Sequence, residues 1–429
     1  MTKSWHRIVL LAGLVGCTTE SDTKIILPFA AAVRARELEF LSMPSVTTVT
    51  RAEYVAEAEK DAKEETDDHR RTQNDAYGRL GFYPRTYDPR GSAGEASAYY
   101  GAFYSSLTKA ITIIDRAGQS LLVHELTHAL QDQHFDLTRL KGLPMSSDEA
   151  MALRGLIEGD AVLAQDRIEL WGRGDDPATL VAQFVTSETS REASEKTLTE
   201  AKLPLIFVAL PSFAYSYGAA YVAKLLDVQR GNWAYAGVNK LFAGTGPAST
   251  QEILRAGVDV DPIVPTGFGT LPAAVTAEYA VETVDRMGEW YTYLLFRPVT
   301  EPGRLQSFTQ EWDGDQLLLL RKKDGASPPS TTGPSGIVWT SVWDTERAAT
   351  FIETALRRLH GAVATEAEPR AFTAADGEAM WIERRENQVC LVKNFDAATM
   401  ELLARVALST KEERRMEIVR VVATTPIVH

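Results

Sequence analysis

Residues 121–130 have the sequence LLVHELTHAL, and this segment decides how the surrounding chain folds. Its apolar side chains recur at the spacing of one helix face, so the segment predicts an amphipathic helix with one side buried. These side chains are Leu122, Leu126, Ala129 and Leu130. The two histidines of the segment, His124 and His128, are four residues apart and therefore lie on adjacent turns of that helix.

Two histidines at this spacing can bind one metal ion. On an α-helix, His124 and His128 are about 40° apart around the axis and about 6 Å apart along it, so both imidazoles reach a common point. Zinc accepts neutral imidazole nitrogens at about 2.0–2.1 Å, and a catalytic site adds a third protein ligand and leaves one position for water. Glu125 lies beside His124, where its carboxylate can take a proton from that water without binding the metal.

The motif His124-Glu125-Leu126-Thr127-His128 resembles that of the zincin metallopeptidases. The resemblance implies a zinc ion that polarises the carbonyl of a peptide or protein substrate. It also implies that Glu125 is the general base and later passes the proton to the leaving amine.

A third metal ligand must come from elsewhere in the sequence. His134 has the spacing of the last histidine in metzincins, whose motif carries a glycine where this chain has Gln131. That glycine ends the helix and turns the last histidine back toward the metal. If Gln131 lets the helix continue, His134 lies about 15 Å along the axis from His124 and cannot share its ion. We therefore expect His134 either at the surface or in contact with the ligands without binding the metal itself.

Glu158 is the better candidate for the third ligand. It lies in the largely apolar stretch 153–161, where a carboxylate is costly unless a cation compensates its charge. Gly155 and Gly159, four residues apart, would let this helix approach the first one closely. An ion pair with Arg154, four residues earlier, is the alternative explanation of Glu158.

Two histidines from one helix and a glutamate from a following helix resemble the gluzincins, of which thermolysin is the familiar example. Gluzincins of the thermolysin type place an aspartate four residues after the glutamate ligand, and here that position is Val162. Asp160 and Asp132 are the remaining candidates for a carboxylate that orients a histidine.

A further group should stabilise the oxyanion that develops during hydrolysis. Tyr215, Tyr217 and Tyr221 are close together in the sequence, and Tyr217 is the one that we assign to this role. Packing in a hydrophobic core is the alternative explanation for these aromatic side chains.

The N-terminus has the composition of an export signal. Residues 1–17 begin with basic side chains, continue with the apolar run from Ile8 to Val15 and end at Cys17. The segment Leu14-Val15-Gly16-Cys17 resembles the lipobox of bacterial lipoproteins. The resemblance implies that Cys17 is lipidated and anchors an exported protein to a membrane of the cell envelope. A signal peptide with an unmodified cysteine is the alternative.

Composition and charge restrict the partners of the chain. Its 429 residues contain 45 Lys and Arg against 58 Asp and Glu, a net charge of −13, which argues against nucleic acid as a partner. No segment approaches the about 20 continuous apolar residues of a membrane-spanning helix, so the lipid anchor is the expected membrane contact. Cys390 lies in an apolar run and is predicted to be buried. The alternative function is a non-catalytic surface lipoprotein that binds a partner and has a structural or vestigial zinc site.

The chain as a whole predicts an α+β protein with a zincin-like catalytic region, mostly helical flanks and a mixed α/β C-terminal domain. Ser146 and Glu149 have the form of a capping box, so a helix is expected over residues 148–170. The expected units are the signal peptide 1–17, a helical segment 18–75, a zincin-like domain 76–257 and a C-terminal domain 273–429. Strands are expected at 111–114, 316–320, 337–342, 380–384 and 388–393, and further helices at 348–359 and 397–408.

Overall fold

The computed structural model confirms an α+β fold. It describes residues 20–64, 71–88, 101–116, 118–174, 203–207, 213–255, 271–323, 334–361, 363–365 and 368–409. The expected signal peptide with Cys17 lies outside the described residues, as does most of the expected boundary between the zincin-like domain and the C-terminal domain. Within the described ranges, no helix is long and apolar enough to cross a membrane.

Helices form the larger part of the described structure. They are α1 (Glu20–Arg36), α2 (Arg51–Glu64), α3 (Gln119–Phe135), α4 (Leu137–Lys141), α5 (Ser147–Arg173), α6 (Gly218–Leu226), α7 (Ala236–Ala243), α8 (Thr250–Leu254), α9 (Ala273–Glu278), α10 (Gly288–Phe296), α11 (Pro302–Thr309), α12 (Glu346–Leu359) and α13 (Ala397–Ala407). Two π-helical segments, Asn74–Gly78 and Phe213–Tyr217, are also present, and the second leads directly into α6.

The strands form two sheets. They are β1 (Ser45–Val49), β2 (Ala102–Ser105), β3 (Ala110–Ile114), β4 (Tyr279–Asp285), β5 (Trp312–Lys322), β6 (Ser335–Trp343), β7 (Val363–Thr365), β8 (Glu368–Thr373), β9 (Ala379–Arg385) and β10 (Gln388–Lys393). The first sheet has the order β1-β3-β2, with β1 parallel and β2 antiparallel to β3. The second is an antiparallel sheet of the order β4-β5-β6-β10-β9-β8-β7.

The expected elements around the histidine segment are present. Strand β3 contains the predicted 111–114 strand, and helix α3 begins after a short turn. Helix α3 packs against α1, α5 and β2, and its buried face includes Leu122, Leu126, Ala129 and Leu130. The helix continues through Gln131 and ends at Asp136, which has the left-handed φ of 56°. Helix continuity at Gln131 was the condition that placed His134 away from the metal.

Helix α5 has the predicted start and is longer than predicted. Ser146 and Glu149 form the capping box, in which each side chain accepts a backbone hydrogen bond from the other residue. The helix runs to Arg173 and ends where Gly174 adopts a φ of 75°. At its N-terminus, the Asp285 carboxylate accepts the backbone N–H of Ser147 and so ties α5 to the end of β4.

Gly155 and Gly159 of α5 do not face α3, so the expectation that they mediate a contact between these helices is wrong. A Cβ on Gly159 would lie 2.1 Å from the carbonyl carbon of Gly218, at the start of α6. A Cβ on Gly155 would contact Ile253 of α8 at 3.6 Å. The glycines therefore bring the segment around Gly218, rather than α3, into backbone contact with α5.

The hydrophobic core extends across both the helical region and the second sheet. One cluster of buried side chains includes Leu156 and Leu163 of α5, Trp290 of α10, and Leu317 and Trp339 of the second sheet. The expected domain boundaries stay a prediction. On the other face of the sheet, Cys390 is fully buried in a second cluster, and burial raises the pKa of its thiol. This confirms that Cys390 is a core residue.

Candidate metal centre

Helices α3 and α5 bring together the three side chains that the sequence suggested as ligands. The Nε2 atoms of His124 and His128 are 3.1 Å apart. The Oε2 atom of Glu158 lies 3.2 Å from the Nε2 atom of each histidine. The imidazole rings are nearly perpendicular, with an interplanar angle of 87°. The three distances place both Nε2 atoms around the same carboxylate oxygen.

The triangle of donor atoms has the size that a tetrahedral zinc ion requires. Three atoms that bind one ion tetrahedrally at about 2.0–2.1 Å stand about 3.3–3.4 Å from one another. The observed separations of 3.1–3.2 Å are close to that value. Two imidazoles and one carboxylate are also a donor set that catalytic zinc uses. The residues therefore fit a zinc ion, and the identity of the metal stays a prediction.

The three groups form a strongly coupled electrostatic unit. Burial acts to raise the pKa of the Glu158 carboxyl, but the two histidines outweigh it and hold this pKa well below the usual value. Burial acts to lower the pKa of His128, but Glu158 and Glu125 outweigh it and raise the pKa to about 9. A cation at this position is thus favourable, whether it is a proton or a metal ion.

Gln131 determines which nitrogen of His128 can bind a metal. Its Nε2 group donates to the carbonyl of Ile157 at 3.0 Å and to Oδ2 of Asp160 at 2.9 Å, so its Oε1 atom must be the acceptor for His128. The Nδ1 atom of His128 lies 2.9 Å from this Oε1 atom and therefore carries the hydrogen. When the imidazole is neutral, as a metal ligand must be, the lone pair is on Nε2, the atom that faces Glu158.

A buried chain of contacts continues behind Gln131. The Nε group of Arg36, in α1, donates to Oδ2 of Asp160 at 2.6 Å, and its Nη2 group donates to Asn239 at 2.6 Å. Arg36 and Asp160 are both fully buried. Asp160, one of the two predicted orienting carboxylates, therefore acts on His128 through Gln131 rather than by direct contact.

Replacing Gln131 by methionine should weaken zinc binding by about 10- to 100-fold, because His128 would lose the acceptor that holds its tautomer. Competition with a chromophoric chelator measures the affinity. Gln133→Met is the matched control, since Gln133 lies on the same helix but contacts the backbone at residues 41 and 42. Equal affinities of the two variants would contradict the role of Gln131.

Glu125 lies next to the cluster and is 5% exposed. Burial raises the pKa of its carboxyl, while the two histidines and the backbone N–H of Tyr104 oppose the increase. Tyr104 belongs to β2, the edge strand of the first sheet. A buried carboxyl with a raised pKa has the properties of a proton acceptor and donor at neutral pH.

The tyrosine at the cluster is Tyr215, not Tyr217. The ring of Tyr215 stacks on His124 with centroids 5.6 Å apart and an interplanar angle of 12°. Burial, followed by the charges of Glu158 and Glu125, raises the pKa of its hydroxyl, so the group keeps its proton. The ring of Tyr217 packs against Phe213 and Trp290.

The π-helical segment Phe213–Tyr217 brings Tyr215 to the site. This segment packs against α5 just before the close contact of Gly218 with that helix, and the Tyr215 hydroxyl interacts with Glu158 of α5. Tyr221, the third tyrosine of the segment, donates instead to Oε1 of Glu252 at 2.5 Å.

The other two predicted residues lie away from the cluster. Asp132 accepts hydrogen bonds from the Tyr104 hydroxyl at 2.6 Å and from Lys109 at 2.7 Å. The Nε2 atom of His134 lies 2.8 Å from the backbone carbonyl of Glu39. His134 therefore supports the loop after α1 and is not grouped with the metal-binding side chains.

Replacing Gly218 by alanine should lower the free energy of unfolding by about 1–3 kcal/mol, the usual cost of overpacking. The added Cβ would lie 2.1 Å from the carbonyl oxygen of Gly155, so α6 must move away from α5. Denaturant unfolding measures the change. Gly237→Ala in α7 is the control, because its Cβ meets no atom within 4 Å. A Gly218 variant as stable as this control would rule out the tight contact.

Comparisons with known proteins concern a different part of the chain. A family model described as a domain of unknown function (DUF8575) matches residues 278–406. These residues contain the second sheet and its helices and do not include the three candidate ligands. No curated protein and no solved structure matches the chain.

Proposed function

We propose that this protein is a zinc-dependent metallopeptidase of the gluzincin type, attached to a membrane of the bacterial cell envelope through Cys17. The observation that carries the proposal is the convergence of His124, His128 and Glu158 within 3.2 Å of one another, directly beside Glu125. The supporting argument for export remains the lipobox-like segment of the sequence. The substrate is a peptide or a protein.

In amide hydrolysis, three of these residues would bind the metal and the fourth would transfer the proton. His124, His128 and Glu158 would hold the zinc ion, which acts as a Lewis acid on the substrate carbonyl and increases the acidity of an adjacent water. Glu125 takes the proton from this water and later gives it to the leaving amine. The raised pKa of Glu125 favours the first of these transfers, because a stronger base takes the proton of the water more readily.

Tyr215 supplies the group that stabilises developing negative charge. Its hydroxyl keeps its proton and therefore donates a hydrogen bond. Stacking on His124 restricts the ring, so the donor is held in place before the substrate arrives. Gln131 and Asp160 do not contact the metal or the substrate. Gln131 orients His128, and Asp160 holds Gln131.

A structural zinc site in a non-catalytic lipoprotein is the alternative. Structural zinc sites usually have four protein ligands, whereas the described residues provide three at this position. A structural site also does not require Glu125, a buried carboxyl that lies beside the ligands and does not belong to the metal-binding group. Both observations favour catalysis.

Zinc content and hydrolysis of unstructured protein test the proposal together. The purified protein should contain one zinc ion and cleave casein, lose this activity in a chelator and regain it when zinc is added. Its melting temperature should change little, because a catalytic metal is not the main source of folding energy. A protein that unfolds on chelation, and that cleaves neither casein nor a peptide library when loaded with zinc, would support the structural alternative.

A further inference from the structure

Arg154 is a cation at the edge of the proposed metal site, and its one ion-pair partner among the described residues is the distant Glu158 carboxylate. It lies one turn before Glu158 on α5, and its Nε atom is 4.0 Å from Oε1 of Glu158, too far for a hydrogen bond. No residue in the described part of the chain accepts a hydrogen bond from its guanidinium. By contrast, Arg36 and Arg167 each donate to two partners.

The guanidinium lies on the accessible side of the cluster. The side chains of Arg154 and Glu158 are 21% and 14% exposed, whereas that of His124 is only 3% exposed. A molecule that approaches the ligands from solvent therefore passes Arg154. Arg154 also acts electrostatically on the Tyr215 hydroxyl, so it is close to the group that we assign to the oxyanion.

A second cation is close by. Lys141, the last residue of α4, is exposed and interacts electrostatically with both Glu158 and Arg154. The negative charge of Glu158 is already shared with His124 and His128. It cannot fully neutralise Arg154 and Lys141 as well, so this rim of the site keeps a positive charge.

We infer that Arg154, supported by Lys141, binds a carboxylate of the substrate, so that the enzyme prefers peptides with an anionic group close to the cleaved bond. This inference rests on the proposed peptidase function. The guanidinium has five donors in a planar fork that matches a carboxylate, and no described residue accepts a hydrogen bond from the fork of Arg154. The carboxylate belongs either to the C-terminus of a short peptide or to an Asp or Glu side chain.

Matched peptides distinguish these two sources. Quenched fluorescent pentapeptides would be prepared with a free C-terminal carboxylate or a C-terminal amide, and with Glu or Gln beside the cleaved bond. For the zinc-loaded full chain, kcat/KM should be roughly 10- to 100-fold higher for the anionic member of one pair, the range expected for a charge-assisted hydrogen bond. The pair that shows the difference identifies the source of the carboxylate.

Arg154→Gln should reduce this preference toward a ratio of 1, and Lys141→Gln should reduce it by less. Damage to folding or to zinc binding lowers both rates by the same factor and leaves the ratio unchanged, so the ratio reports recognition. The control is Arg173→Gln, at the far end of the same helix, where the side chain is 63% exposed and pairs with Glu169. This variant should keep the wild-type ratio.

Two results would overturn the inference. One is equal kcat/KM values within both pairs for the wild type, and the other is an unchanged preference in Arg154→Gln. If no peptide is cleaved, the proposed function fails, and binding of the same peptides to the zinc-loaded Glu125→Gln protein still decides the specificity. Tighter binding of the anionic peptide, lost on changing Arg154, supports the inference; equal binding of each pair rejects it.

Discussion

Glu125→Gln should lower kcat for peptide hydrolysis by about 10²- to 10⁴-fold, the usual contribution of a general acid and base. The side-chain amide of the introduced glutamine has the shape of the carboxylate, but it cannot accept the proton of the attacking water. Because Glu125 is not one of the three grouped ligands, zinc should remain bound at one ion per chain. Steady-state kinetics and elemental analysis of the same preparation check both parts.

The control for this variant is Glu169→Gln. Glu169 is 36% exposed on α5 and pairs with Arg173, away from the ligands. Its loss should leave kcat within a factor of two, since exposed ion pairs contribute about 0–1 kcal/mol. Full activity of Glu125→Gln would refute the role of general base, and loss of zinc from it would mean that Glu125 is a ligand.

Glu158→Gln should remove zinc from the protein at micromolar concentrations and abolish hydrolysis with it. The glutamine amide carries no charge, so the metal would lose the carboxylate ligand whose pKa the two histidines hold well below its usual value. The decrease in zinc affinity should be larger than the decrease of about 10- to 100-fold that we expect for Gln131→Met, because Gln131 contacts a ligand and not the metal. Equilibrium dialysis against zinc, followed by elemental analysis, measures it.

His134→Ala is the informative comparison, because the sequence offered His134 and Glu158 as rival third ligands. The His134 ring contacts the carbonyl of Glu39 and not the metal cluster, so this variant should bind zinc with wild-type affinity. The opposite pattern, with zinc lost from His134→Ala and kept by Glu158→Gln, would require a different arrangement of α3 and α5.

Local sequence signals predicted the elements that carry the site. The helix of His124 and His128, the capping box at Ser146, and strand β10 all depend on contacts between residues a few positions apart or on periodic patterns. Gln131 at the glycine position of the metzincin motif also argued against His134 as a ligand, and the structure meets the condition of that argument because the helix continues through Gln131.

Other features depended on which helices meet. The glycines of α5 were recognised as a close-packing surface, but the sequence did not show that the partner is Gly218 rather than α3. The sequence pattern likewise does not distinguish Tyr215 from Tyr217, because both lie in a π-helical segment whose packing on α5 decides which ring meets His124. The contributions of Gln131 and Arg36 were not foreseen, because their partners are distant in sequence.

The amino-acid sequence alone determined the pair of imidazoles, the adjacent Glu125 and the helix that presents them, because these groups lie within one helical turn and a half. Only the tertiary structure decided that Glu158 meets both imidazoles and that the Tyr215 ring stacks on one of them. Those relations join segments separated by 30 residues or more, and helix packing, rather than local backbone preference, sets the distances between such segments.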